Sequence, residues 1–143
     1  MANKQSIIDA SYPIESKVYA LIACIGQEQK MKMTSRIKHT GVSLTQLQIL
    51  HILSEAPKEG LTINQVKKFM VDDSPNVSRA VNKLVDAGHV VKARSQIDQR
   101  IVHVQITESG NKTHVDCDKE LLALSLGLSE REIKQLYSLL VKI

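Results

Sequence analysis

The sequence predicts a mainly α fold that carries one small β-hairpin. Two patterns predict it: a helix-start grammar that recurs along the chain, and a hydrophobic period that changes from about 3.6 to 2 between Gly88 and Thr107. The start grammar is an apolar residue, a Ser or Thr cap, a Gln or Glu three positions on, and a second apolar residue that folds back over the cap. It is read at Leu44-Thr45 with Gln48 and Ile49, at Leu61-Thr62 with Gln65 and Val66, and at Leu128-Ser129 with Glu132 and Ile133.

Each element follows from local chemistry. Ser11-Tyr12-Pro13 opens a long first helix, with Ile14, Val18, Leu21, Ile22 and Ile25 on one face and Gly41 as its stop. Two shorter helices are expected over 46–55 and 63–70, then a three-residue joint, Val71-Asp72-Asp73. Ser74 caps the next helix, and Pro75 takes the first helical position, where a missing NH costs nothing; this helix runs to 87. Valine-rich 89–94 and alternating 102–106 read as two strands around a polar tip, Ser95 to Arg100. Thr107 caps a helix over 108–126, Gly127 ends it, and Ser129 starts the last one.

Composition bounds the function. The 143 residues, 43% hydrophobic and 24% charged, suit one compact domain whose core needs neither disulfides nor a structural metal. The two cysteines, Cys24 and Cys117, lie far apart without a CxxC pair, as expected in a reducing cytoplasm. No signal peptide is expected, and the longest apolar run, 19–25, is far below the roughly 20 residues of a membrane span. The net charge of +4 favours a polyanionic partner, with the positive excess concentrated in 1–43 and 61–107. All six glycines are isolated, which excludes a GxGxxG or P-loop cradle, and neither HExxH nor GxSxG occurs. No enzyme and no cofactor are expected. Single-stranded RNA binding is excluded too, since Tyr12, Tyr19, Phe69 and Tyr137 all lie outside the hairpin.

The segments 46–55, 63–70 and 75–87 have the spacing of a helix-turn-helix. On the last of them Val77, Ala80, Val81, Leu84 and Val85 form the buried stripe, leaving Pro75, Asn76, Ser78, Arg79, Asn82 and Lys83 facing outward. Short hydrogen-bonding side chains with two cations suit the major groove of duplex DNA, and a phosphate could rest on the free NH groups near Ser74. The competing reading is an amphipathic helix whose polar face simply meets water. In the hairpin, Arg94 and Arg100 suit a minor groove, and Asp98 is expected to accept from Arg100 or Arg94 and hold a guanidinium outward. Its bland alternative is an incidental ion pair.

Over 44–110 the chain resembles the MarR family of bacterial winged-helix transcription regulators. The resemblance is carried by Leu44-Thr45 through Ile52-Leu53, by the run from Ser74-Pro75-Asn76-Val77-Ser78-Arg79 to Ala87-Gly88, and by Asp98-Gln99-Arg100 ahead of Val104-Gln105-Ile106-Thr107-Glu108-Ser109-Gly110. It implies a winged helix-turn-helix flanked by N- and C-terminal dimerisation helices. One MarR-like domain would span 1–143, with a DNA-binding lobe at 44–107 and dimerisation regions at 11–41 and 108–143. It also implies a homodimer on a pseudo-palindromic operator, with Arg100 as the minor-groove residue. Such a regulator would be cytoplasmic and a repressor, released by a small lipophilic or phenolic effector or by cysteine oxidation. The rival class is a winged-helix protein-interaction module without DNA binding.

Other residues rank lower. Lys30, Lys32, Arg36 and Lys38 read as a solvated helix face that adds long-range attraction. Cys24 reads as a small buried hydrophobe rather than a redox sensor. His114 and Cys117, with Asp118 or Glu120 near, could supply half a metal site, but chance proximity on a polar helix face is favoured and no metal is expected. His51 is a core or effector-pocket residue.

Overall fold

The computed structural model describes residues 3–70 and 76–143. Its elements run α1 (Lys4–Asp9), α2 (Ile14–Ile37), a 3-10 turn (Lys38–Thr40), α3 (Leu44–Ser54), α4 (Ile63–Phe69), α5 (Asn76–Asp86), β1 (Val90–Arg94), β2 (Val102–Ile106), α6 (Glu108–Leu122) and α7 (Glu130–Leu140). This is the predicted order, mainly helical with one antiparallel hairpin, preceded by a short helix that the sequence reading did not expect. In α1 the Asn3 side chain accepts from the Ser6 NH, Ile7 is buried, and Lys17 Nζ donates to the Ile8 carbonyl at 2.8 Å. Among the described residues no helix is long and apolar enough to cross a membrane.

Two of the three predicted capping boxes form as read, at Thr62/Gln65 and Ser129/Glu132. The latter holds the Glu132 carboxyl below its ordinary range, because the Ser129 hydroxyl and backbone NH both donate to it. The third is displaced by two residues. Ser43, not Thr45, caps α3, accepting from the Gln46 NH at 3.2 Å while Gln46 Oε1 accepts from the Ser43 NH at 2.8 Å. The earlier frame wins because it places Val42 before the cap and Leu47 four residues after it, and both are buried in the core. Leu44, in the frame read from sequence, packs only partly buried against that core. The other correction concerns α6, which stops at Leu122 rather than Leu126, leaving Gly127 (φ +73°) in the link to α7.

The core lies where α3, α4, α5, the hairpin and α6 converge. Val77, Ala80, Val81 and Leu84 of α5 are buried as the stripe predicts, with Val85 partly so, against Ile49, Leu50, Leu53, Val66, Val90 and Val104. Each fully buried Val, Leu or Ile contributes about 1.5–3 kcal/mol. His114 and Cys117 point into this interior rather than lying on a polar face; Cys117 Sγ lies 3.6 Å from Thr40 Oγ1. Burial pushes the Cys117 thiol up, an effect only partly offset by the Thr40 hydrogen bond. Cys24 is buried on α2, as expected of a small hydrophobe.

The strands pair from Val90↔Ile106 to Arg94↔Val102, and a third piece joins them. Leu61 forms an isolated antiparallel bridge with Val104, donating to its carbonyl at 3.1 Å and accepting from its NH at 2.7 Å. This approach requires Gly60, which has φ +82° and whose added Cβ would overlap the Val104 carbonyl oxygen. At the other end of β2, Thr107 caps α6 while donating to the Gly88 carbonyl at 2.7 Å, and Gly110 lies so close beneath His89 that a Cβ would strike its carbonyl. The hairpin is thereby fixed to the helices at both ends. Gly60→Ala is expected to lower the free energy of unfolding in urea by about 2–3 kcal/mol. Gly26→Ala on α2, where nothing lies within 4 Å of the new methyl, is expected to be neutral or slightly stabilising.

Candidate nucleic-acid interface

The outward side of α5 presents Asn76, Arg79, Asn82, Lys83 and Asp86 to solvent, with Ser78 half-buried beside them. Spacings of three and four residues collect these groups on one side of the helix because Val77, Ala80, Val81 and Leu84 fix the opposite side in the core. Ser74 and Pro75, the cap and first turn expected from sequence, lie outside the described residues, so the anion site proposed there has no geometry here. Lys83 lies toward one edge, lining a groove with Lys38, Thr34 and His89. The basic group of the first long helix and the turn after it is thus divided: Lys38, in the 3-10 turn, joins the α5 edge, while Arg36 turns away to Glu120 of α6 at 3.9 Å. With both partners substantially exposed, that pair contributes little to stability.

Besides the apolar packing of Val90 and Val104 against its stripe, the hairpin meets α5 through a side-chain hydrogen bond on the outward side. Lys92 Nζ donates to Asn82 Oδ1 at 2.7 Å, so the middle of the helix and the first strand share a surface. From sequence Lys92 is read only as leading, with Arg94, into the hairpin tip, and no contact with α5 is expected of it. Its signal was the two-residue alternation that places it on the same strand face as Arg94.

At the tip the arginines behave differently from expectation. Arg94 Nη1 donates to the Gln99 carbonyl at 2.9 Å. Asp98 does not hold a guanidinium; its Oδ1 accepts the backbone NH of Arg100 at 2.9 Å. The carboxylate shapes the turn because a side chain this short reaches the NH two residues on more readily than a distant guanidinium. Ser95 Oγ reinforces the turn by accepting from the NH groups of Ile97 and Asp98 at 3.2 and 3.3 Å. Arg100 therefore leaves a stiffened backbone with its side chain exposed, and Ile97 at the apex is fully exposed. Two helices, an outward-facing third and a stapled hairpin define a winged helix-turn-helix protein.

Comparison with known proteins narrows the class. Residues 27–116 match the family model described as transcriptional regulator SarA/Rot, and the chain belongs to that family. The HTH-type transcriptional regulator TtmR of Methylorubrum extorquens is 28% identical over 102 residues, 70% of this chain; the chain spans about half (49%) of that relative. A MarR-like regulator from Bacillus cereus superimposes with a TM-score of 0.79 at 20% identity, covering 90% of this chain and 94% of that one. MepR of Staphylococcus aureus in complex with DNA gives 0.71 at 25% identity, covering 87% and 93%. The organohalide-sensing RdhR regulator in its 2,4-dichlorophenol-bound form gives 0.76 at 18% identity, covering 92% and 80%. The chain is a transcriptional regulator of the MarR/SarA winged-helix type.

Asp98→Ala is expected to raise the amide exchange rate of Arg100 by about tenfold, equivalent to one lost hydrogen bond, while global stability changes by less than about 0.5 kcal/mol. Hydrogen exchange followed by mass spectrometry reads both.

Proposed function

We propose that this protein is a homodimeric, sequence-specific repressor acting in the cytoplasm. Residues 44–107 read a pseudo-palindromic operator, and 11–41 with 108–143 supply the dimer contacts. The observation that carries the reading is the Asn82–Lys92 hydrogen bond, which ties the outward side of α5 and the hairpin into one cation-bearing surface. On that surface Asn76, Ser78, Arg79 and Asn82 are assigned to base edges in the major groove, together with Ser74 and Pro75 ahead of them. Lys83, Lys92 and Arg94 are assigned to phosphates, Arg100 to the minor groove, and Asp98 to shaping the turn that presents it.

The dimer assignment is supported by apolar surface that the single chain leaves uncovered. Ile133, Leu136, Tyr137 and Leu140 form a helical stripe on α7, yet α7 buries no residue and Tyr137 is 69% exposed. Ile14, Val18 and Ile22 on α2 are likewise exposed, Ile14 at 78%. Apolar stripes of this kind on two flanking helices fit an interface between copies.

A small lipophilic or phenolic effector fits a groove of about 550 Å³ between α2, α3 and α6, walled by Met33, Leu44, Leu47, Leu121 and Leu122. The dichlorophenol held by the RdhR regulator is of this chemical class. The groove lies between the flanking helices and the reading lobe, where a ligand can bias their relative position.

The test is binding to fragments selected from the source genome, followed by fluorescence anisotropy at two salt concentrations. Lys83→Ala is expected to weaken all sequences alike and to lower the salt slope by about 1. Arg100→Ala is expected to cost about 1–3 kcal/mol and to erase preference for A·T-rich flanks. A folded dimer that fails to bind DNA at low salt would assign the chain to the protein-interaction class instead. Sedimentation is expected to give a dimer, and Tyr137→Glu with Leu140→Glu a monomer.

A further inference from the structure

We propose that His51, His114 and Asp118 form a three-ligand site for a divalent transition metal of the zinc class, bridging α3 of the reading lobe to α6. His51 Nδ1 stands 3.1 Å from His114 Nε2, which stands 3.1 Å from Asp118 Oδ2, and the three ligand atoms lie within 4.8 Å of one another. Bonds of about 2.0–2.2 Å at tetrahedral angles separate the donors around zinc by roughly 3.3–3.5 Å, so small side-chain movements admit the ion. The two imidazole rings are tilted at 43° with centroids 5.2 Å apart, so they meet through ring nitrogens rather than stacked faces.

Two groups able to accept a hydrogen bond, His51 Nδ1 and Asp118 Oδ2, converge on His114 Nε2. A ring nitrogen offers a hydrogen or a lone pair, never both. If His114 Nε2 carries its hydrogen, that one hydrogen faces two acceptors, His51 Nδ1 and Asp118 Oδ2, each 3.1 Å from the nitrogen. If it accepts from His51 instead, the same lone pair faces the Asp118 carboxylate. A cation among three lone pairs satisfies all of them together.

The scaffold is suited to the task. His114 and Asp118 are four residues apart on one face of α6, and His51 comes from α3, which packs against that helix. His114 is buried (8% exposed), Asp118 half-buried and His51 exposed, so the site spans from core to surface. His51 and Asp118 also line the groove, which leaves a fourth coordination position for water or another donor. Two imidazoles and a carboxylate select for zinc, cobalt, nickel or ferrous iron over magnesium or calcium. Cys117 lies one turn away but points to Thr40 and is not a ligand.

An ion here clamps the reading lobe to the flanking helices and thereby shifts DNA affinity. That consequence rests on the DNA-binding reading above, whereas the site itself does not. Full-length protein stripped with chelator and titrated with Co(II) is expected to develop the visible bands of a tetrahedral centre at one equivalent per chain, and Zn(II) is expected to bleach them. His51→Ala and Asp118→Ala, whose circular dichroism should match that of the parent, are expected to weaken Co(II) binding by about 100-fold, while His39→Ala leaves it unchanged. No saturable bands, or bands that persist in both variants, would overturn the site. Zn(II) is further expected to change the affinity for the selected DNA by at least fivefold in the parent and not in Asp118→Ala. Bands without that change would uphold the site and overturn the coupling, and absence of all DNA binding would overturn the regulator reading while the bands still upheld the site.

Discussion

Two backbone hydrogen bonds between Leu61 and Val104 hold the hairpin to the helical lobe. Val104 is fully buried, pairs with Lys92 on one side and Leu61 on the other, and packs into the same core as the α5 stripe. The placement of Lys92 against Asn82, and of the stiff tip beyond it, depends on this junction. It exists only because Gly60 lets the chain before α4 approach a strand backbone without a side chain intervening. The outward polar chemistry of α5 and the hairpin thus rests on a small, apolar, mostly backbone device behind them.

What was legible in the sequence was what local physics decides. The caps at Thr62, Thr107 and Ser129, the α5 stripe and the strand alternation all depend on residues within a turn or two of one another. The misplaced cap of α3 shows where that legibility ends. Two overlapping frames, Ser43/Gln46 and Thr45/Gln48, both satisfy the local rule, and the choice is made by whether Val42 and Leu47 reach the core. The early end of α6 has a related origin: Leu124 donates to the Leu121 carbonyl in a terminal turn, and Leu122 and Leu126 remain exposed, so no packing extends the helix.

The candidate sites divided along the same line. Asn76, Arg79, Asn82 and Lys83 face outward as the period required. The role given to Asp98 failed because charge complementarity was weighed above the shorter reach to a neighbouring NH. The meeting of His51 with His114 was invisible because 63 residues separate them and neither carries a motif. His114 and Cys117 looked polar from their neighbours, yet α6 turns that face inward against α3 and the 3-10 turn.

The segment between Leu122 and Glu130 has a mechanical consequence. Helix α6 is fixed to its own lobe by Gly110, His114 and Cys117, whereas α7 buries nothing within the protomer. Packing within the protomer therefore constrains α7 least. In the dimer proposed above, α7 would take its position from the partner copy, whereas α2, packed against α6, joins that interface to the rest of its own protomer. The docking of α7 would then be completed by assembly rather than by folding of the single chain.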